Sequence, residues 1–166
     1  LLVVILLGPA SGQAQAAEGF IVAWGDNFWG ETNVPAPNTG FVAVAAGGYH
    51  SLGLKGDGSI VAWGYNYYGQ TNVPAPNTGF IAVAGGGFHS LGLKADGSIV
   101  AWGCGDWFDC GERKIPTPNS GFVAIAAGAS HGLGLKADGS IVAWEDKGFS
   151  RTYVPAPNGS FIAIAA

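Results

Sequence analysis

Apolar runs and short polar turns alternate along the chain in a pattern that returns three times. Residues 50–69 read HSLGLKGDGSIVAWGYNYYG, and closely similar stretches begin at His89 and His131. The second half of the stretch, IVAWG, also stands alone at Ile21. In each complete copy two apolar runs flank an Asp-Gly pair, which is typical of a β-hairpin. The pattern therefore predicts a repeat protein.

The unit at residues 40–79 shows what one copy contains. Residues 41–48 alternate larger and very small apolar side chains, which indicates a strand buried on both faces. The hairpin adds two strands, and residues 70–73 are predicted as a short outer edge strand, because the Pro74 that follows cannot donate to a ladder. Four short strands in each repeat, without helical periodicity, predict an all-β fold, a β-propeller of four-stranded blades. A parallel β-helix is the alternative, but its rungs are shorter.

One tryptophan marks each copy. The four residues follow one another in two steps of 39 residues and one of 42, at Trp24, Trp63, Trp102 and Trp144. Large aromatic side chains at fixed repeat positions usually dominate packing. We therefore expect each tryptophan to be a buried wedge between neighbouring blades.

The repeated motif resembles that of a known family. It is similar to the regulator of chromosome condensation repeat over the residues Gly47-Gly48-x-His50-Ser51-Leu52, Asp57-Gly58 and Trp63-Gly64-x-Asn66-x-x-Gly69-Gln70. The resemblance implies a seven-bladed propeller, and the short repeats are similar to those of secreted bacterial members. Later copies depart from the motif, since Glu145 replaces the glycine after the last tryptophan. We expect an incomplete part of a seven-bladed ring, with a closed four-bladed ring as the alternative.

The chain opens on a short apolar segment, LLVVILL, at residues 1–7. It is followed by small and polar residues that end in an A-x-A pattern, as in a secretory signal peptide. We predict a signal peptide, truncated at its start, at residues 1–17, and partial β-propeller repeats at 18–166. The expected location is secreted, periplasmic or cell-surface, with no stable membrane span once the signal is removed. A buried strand that opens the fold is the alternative.

Composition restricts the partners. The chain has 29 glycines and only 11% charged residues, but its apolar and aromatic residues recur in register, which favours a packed core over disorder. The formal net charge is −4, with seven Lys plus Arg. Without a basic stripe to neutralise phosphates, no nucleic-acid partner is expected.

Two cysteines, Cys104 and Cys110, lie close together in the longer third unit. In an exported protein such a pair predicts a disulfide that holds an enlarged loop, and two reduced thiols are the alternative. Two ligands do not make a zinc site.

Candidate chemistry is sparse. His50, His89 and His131 occupy one equivalent position in each unit, so we interpret them as structural residues that bond within their blades and not as a metal site. The aspartates of the hairpins are interpreted as turn residues. No phosphate-binding, dinucleotide or zinc motif is present. The sequence thus predicts no catalytic residue, cofactor or metal.

The loop that follows each tryptophan varies most between copies, and equivalent loops should emerge on one face of a propeller. Such a face, rich in Tyr, Trp and Asn, is typical of protein recognition. The alternative is that part of each loop packs on the next blade. The predicted partner-binding residues are Phe28, Trp29, Tyr65, Asn66, Tyr67, Tyr68, Asp106, Trp107 and Phe108.

These observations predict a non-enzymatic, exported scaffold that binds a protein, with a surface glycan as the second partner class. A glycan-binding protein or carbohydrate-active enzyme, with its site on the propeller face, is the alternative function. Guanine-nucleotide exchange, which the founding family member implies, is disfavoured by the predicted export, and a fold alone does not fix function.

Overall fold

In the computed structural model, residues 3–7, 19–105, 113–145 and 152–166 are described. Their regular elements are β-strands, as the sequence predicts. The strands are β1 (Val3–Leu7), β2 (Phe20–Trp24), β3 (Phe41–Ala46), β4 (His50–Lys55), β5 (Ile60–Gly64), β6 (Phe80–Gly85), β7 (His89–Lys94), β8 (Ile99–Gly103), β9 (Phe122–Ala127), β10 (His131–Lys136) and β11 (Ile141–Glu145).

Three antiparallel sheets repeat one topology, in the orders β3-β4-β5, β6-β7-β8 and β9-β10-β11. The register repeats as well, because Ser51 pairs with Trp63 in one sheet and Ser90 pairs with Trp102 in the next. Each sheet is therefore one blade, and each blade is one sequence repeat.

The apolar core lies between successive blades. Leu52, Leu54 and Ile60 of one blade cluster with Phe80 and Trp102 of the next blade. An equivalent cluster joins the following pair of blades, from Leu91, Leu93, Ile99, Phe122 and Trp144. Because each blade buries its apolar face only against its neighbour, the repeats stabilise one another. The predicted β-propeller class is confirmed.

Three of the four repeated tryptophans are buried wedges, as predicted. The indole N–H of Trp63 donates to the carbonyl of Glu31, at 2.7 Å, and that of Trp102 donates to the carbonyl of Gln70, at 2.9 Å. Both acceptors belong to the preceding repeat. The prediction is wrong for Trp24, which is 46% exposed. No described blade precedes Trp24 to provide a matching carbonyl and apolar face.

The described blades have three strands, although four were predicted. The segment after β5 forms turns, in which the Gly69 amide donates to Asn66 and the Asn72 amide donates to Gly69. The side chain of Asn77 occupies the edge of β5, where it accepts from the Ile60 amide and donates to the Ile60 carbonyl, both at 2.8 Å. One side-chain amide carries both a donor and an acceptor. It therefore satisfies the backbone N–H and C=O groups of the first residue of β5, and no fourth strand is needed there. Asn38, Asn119 and Asn158 repeat the arrangement.

In each of the three described blades, a lysine binds the proline-containing loop that precedes the blade. The Nζ atom of Lys94 lies 3.7 Å from the centre of the Phe80 ring, and it donates to the carbonyls of Pro76 and Thr78. Lys55 and Lys136 repeat these contacts. A cation over an aromatic face is attracted by the ring quadrupole, so the lysine joins the loop to the core.

The first strand, β1, pairs antiparallel with β2, from Val3 opposite Trp24 to Leu7 opposite Phe20. The pairing leaves both interpretations of the opening segment open. It does not test whether residues 1–17 are removed on export, so the signal peptide stays a prediction. In the described part of the chain, no helix has the length and apolar character needed to cross a bilayer.

A buried histidine links neighbouring blades. The Nε2 atom of His50 lies 2.9 Å from the Ser90 hydroxyl, which donates to the Gln70 carbonyl at 2.8 Å. The bond therefore crosses between blades, whereas the sequence predicted a bond within one blade. Gly132 takes the place of the serine in the following blade, and Nε2 of the buried His89 has no partner among the described residues.

A glycine three residues before each histidine allows this close packing of neighbouring blades. A Cβ atom on Gly47 would lie 2.2 Å from the ring of His50 and 2.6 Å from the carbonyl oxygen of Gly86 in the next blade. Such distances leave no room for a side chain. The Gly-Gly-x-His motif is thus a packing requirement of the contact between blades.

We expect the free energy of unfolding to fall as the pH drops from about 6.5 to about 4. Burial lowers the pKa of His50 and of His89 from 6.5 to about 4, and nearby histidines add to the shift at His89. Between these values the unfolded chain binds protons that the folded chain excludes, so acid favours unfolding. Urea unfolding across this pH range measures the slope.

The variant with both His50→Gln and His89→Gln is the control for this slope. It should be less stable at neutral pH, since it disturbs the contact between blades, but its stability should depend less on pH in this window. If the stability of the variant and that of the natural chain depend equally on pH, the pH dependence does not come from His50 and His89.

Candidate functional site

The loop after β5 is held in shape by its own side chains. Asn66 accepts from the Thr71 amide, at 3.0 Å, and donates to the side chain of Asn72, at 2.8 Å. Asn66 is exposed, yet both ends of its amide are engaged within the loop. The residue predicted to bind a partner therefore braces the loop, and Asn27 has the same role in the preceding repeat.

Gln70 connects this loop to the contact between blades. Its side-chain oxygen accepts from the Tyr68 amide, at 3.0 Å, while its backbone carbonyl accepts from Trp102 and Ser90. Glu31 makes the equivalent contacts one repeat earlier, with its carboxylate on the Trp29 amide at 2.9 Å. The packing of the blades thus fixes where the aromatic residues of each loop lie.

A second loop meets the first on the same side of the first two blades. The Tyr65 amide donates to the Tyr49 carbonyl, at 2.8 Å, just before the start of β4. One repeat later, the Cys104 amide donates in the same way to Phe88, at 2.7 Å. Tyr49 and Phe88 are therefore brought next to the loops that follow the tryptophans.

Seven aromatic side chains form one continuous surface, which we call the aromatic face. Neighbouring ring centres lie 4.5–6.4 Å apart. Tyr65 is central, because its ring lies 4.5 Å from Trp29 and 6.4 Å from Phe88. These contacts join three successive repeats. The aromatic face consists of Phe28, Trp29, Tyr49, Tyr65, Tyr67, Tyr68 and Phe88.

Five of the seven rings are substantially exposed. Phe28 is 78% exposed and Tyr67 is 77% exposed, whereas Trp29, Tyr49 and Phe88 are between 39% and 47% exposed. Tyr65 and Tyr68 are half-buried and support the others. A contiguous exposed apolar surface of this kind usually marks an interaction site.

The aromatic face carries no formal charge at neutral pH. Partial burial raises the pKa of the Tyr65 phenol above its ordinary value, and Tyr68 and Tyr67 add to the shift. The phenol is therefore protonated at neutral pH and can donate a hydrogen bond. Within the described ranges, no three His, Cys, Asp or Glu side chains come together as a ligand set.

Sequence reasoning found five of these seven rings and missed two. The loops after the tryptophans were identified because they vary between repeats. Tyr49 and Phe88 lie between two strands of a motif that otherwise barely changes. The signal was present, since two successive copies have an aromatic residue directly before the conserved histidine position, at Tyr49 and Phe88.

The remaining predicted positions, Asp106, Trp107, Phe108 and Cys110, lie outside the described residues. The disulfide between Cys104 and Cys110 therefore stays a prediction. At the border of these positions is a cleft of about 400 Å³. It is lined by Tyr67, Tyr68, Gly69, Asn72, Trp102, Gly103, Gly105 and Arg113.

Comparison with protein families finds a match to two of the repeats. The family model described as regulator of chromosome condensation (RCC1) repeat matches residues 41–70 and 80–111. A search of curated protein sequences finds no significant match.

Solved structures share the fold. Prp20p from Saccharomyces cerevisiae is 21% identical with a TM-score of 0.64, over 76% of this chain and 41% of that chain. The CRINKLY ectodomain of the Arabidopsis thaliana receptor kinase ACR4 is 28% identical with a TM-score of 0.62. The match covers 76% of this chain and 44% of that chain. The C-terminal domain of gp131 from bacteriophage phiKZ is 16% identical with a TM-score of 0.61. The match covers 98% of this chain and 52% of that chain. The chain thus spans about half or less of each of these chains.

Replacing the central ring should cost more stability than replacing an exposed one. We expect Tyr65→Ala to lower the free energy of unfolding by about 1–3 kcal/mol, because it removes several aromatic contacts. Tyr67→Ala, the matched control, should change it by less than about 0.5 kcal/mol, as is usual at exposed positions. Urea unfolding measures both. An equal loss in the two variants would show that the aromatic face is part of the core.

Proposed function

We propose that this chain, two of whose repeats match the regulator of chromosome condensation repeat, is a non-enzymatic scaffold that binds a protein partner through its aromatic face. The observation that carries the proposal is the continuity of exposed rings across three repeats. The core of a protein interface is depleted of charge and enriched in Tyr, Trp and Phe. The aromatic face has that composition.

The position of the rings also supports a binding role. Phe28 and Tyr67 are the most exposed of the seven rings, while the half-buried Tyr65 contacts both Tyr67 and Trp29, the neighbour of Phe28. Large aromatic side chains that are already ordered lose little conformational entropy when they contact a partner. Such residues are common anchors of binding energy.

A similar propeller of known structure binds other proteins. Prp20p has binding properties to Gsp1p and histones. Because this chain spans about two fifths of Prp20p, we take from the likeness only the class of partner, a protein. The identity of the partner has to come from the chain's own surface.

The proposal includes export and the absence of enzymatic activity. Export is supported by the sequence of residues 1–17, and the similar plant structure is also a receptor ectodomain. A non-enzymatic role is supported by the chemistry of the seven rings, which provide neither a carboxylate nor an imidazole for proton transfer at neutral pH.

We expect the aromatic face to determine which protein fragments the chain selects from a displayed library. Replacing both Phe28 and Tyr67 by Ala should weaken binding of the enriched fragments by at least about tenfold, because anchor residues commonly contribute more than about 1.4 kcal/mol. Binding is measured by biolayer interferometry, and thermal unfolding confirms that the variant is folded.

Tyr153→Ala provides the matched control, since Tyr153 is 79% exposed and lies outside the aromatic face. It should leave binding unchanged. Selected fragments that bind the double Ala variant as tightly as the natural chain would refute the proposed site.

A further inference from the structure

We propose that the aromatic face binds an extended, proline-rich segment of its partner in the polyproline II conformation. The inference rests on the proposed function and narrows it to one class of ligand. It follows from the hydrogen-bonding groups that the aromatic face offers, from those that it lacks and from the arrangement of its rings.

The free polar groups of the aromatic face are the indole N–H of Trp29 and several phenol hydroxyls. Those of Tyr49, Tyr65 and Tyr67 make no hydrogen bond to another described residue. A phenol is a good donor to a backbone carbonyl. A polyproline II segment has no internal hydrogen bonds, so its carbonyls are free to accept, and proline brings no N–H group that would need an acceptor.

The amides beside the rings are partly engaged within their own loops, with one N–H and the carbonyl oxygen of each already hydrogen-bonded. Asn66 binds Thr71 and Asn72, and Asn27 binds Thr32 and Asn33. A glycan presents many hydroxyl groups that each donate and accept, and its recognition would require several such polar side chains to be available. Because each amide keeps only one N–H and one lone pair for a ligand, and the loop fixes its orientation, the aromatic face favours a peptide with few donors over a sugar chain.

The rings also suit a segment of flat, apolar side chains. Tyr49 and Phe88 are nearly parallel, with 22° between their planes and 5.9 Å between their centres, and Tyr65 and Tyr67 are at 18° and 6.4 Å. The edge-on ring of Tyr68 lies 5.0 Å from Phe88 and 5.1 Å from Tyr67, so it connects the two pairs. Proline-rich segments commonly dock on aromatic-lined surfaces, where their preformed conformation limits the entropy lost.

The lack of charge on the seven rings also favours a neutral peptide as the ligand. The seven side chains of the aromatic face are uncharged at neutral pH, and the neighbouring carboxylates of Asp26 and Glu31 are hydrogen-bonded to the amides of Phe28 and Trp29, so binding should depend only weakly on salt. An acidic or basic peptide would gain nothing from these residues and would lose hydration of its charges. A neutral, proline-rich segment has no such cost.

The probe is a blocked, fluorescein-labelled peptide of Pro-Pro-Ala triplets, titrated with the full chain and followed by fluorescence anisotropy. We expect saturable binding that changes less than about twofold with moderate salt. Tyr67→Ala should weaken it at least about tenfold. Tyr67→Phe keeps the ring and removes the donor, so it should weaken binding by a smaller factor, and Tyr153→Ala should have no effect.

Two comparison probes separate this inference from the proposed function. A peptide of Gly-Ser-Ala triplets with the same length should not bind, and neither should a labelled chito-oligosaccharide. Absence of binding by the proline-rich peptide, or equal binding by the natural chain and Tyr67→Ala, overturns the inference. If displayed protein fragments still require Phe28 and Tyr67, the proposed function stands without it. If the sugar binds and its binding requires Tyr67, both the inference and the proposed protein-binding function are wrong, and the aromatic face is a glycan-binding site.

Discussion

In the first two of the three described blades, a backbone carbonyl of the preceding repeat accepts two buried hydrogen bonds. The carbonyl of Gln70 receives the indole N–H of Trp102 and the hydroxyl of Ser90, and that hydroxyl is also the partner of His50. A buried hydrogen bond that loses one partner costs about 1–3 kcal/mol, so a blade cannot shift against its neighbour without a large loss. The same Gln70 holds the amide of Tyr68 through its side chain. The contact that fixes the blades therefore also fixes the loop that carries Tyr67 and Tyr68.

Much of the fold could be predicted because the repeats impose it. The spacing of the tryptophans gives the length of a blade, and the Asp-Gly pairs give one hairpin in each. The fourth strand could not be predicted correctly, since an Asn side chain that mimics a strand edge, such as Asn77, leaves the same polar sequence as an ordinary edge strand. The exposure of Trp24 depends on the neighbouring blade, which local sequence does not report.

The candidate site, like the fold, could be predicted only in part from the sequence. Variation between copies identified the loops around Trp29 and Tyr67, but it could not distinguish residues that face a partner from those that shape the loop, such as Asn66. Tyr49 and Phe88 come from a different connection, and only the stacking of blades brings their rings within 5.9 Å of each other. Local patterns thus indicate where a surface begins, while packing between repeats determines which residues complete it.

Proton NMR of the aromatic side chains tests most directly whether contact between blades assembles the aromatic face. The account predicts nuclear Overhauser effects between the rings of Tyr49 and Phe88 and between those of Trp29 and Tyr65, which belong to different repeats. Effects within one loop, between Tyr67 and Tyr68, but none between repeats, would contradict it.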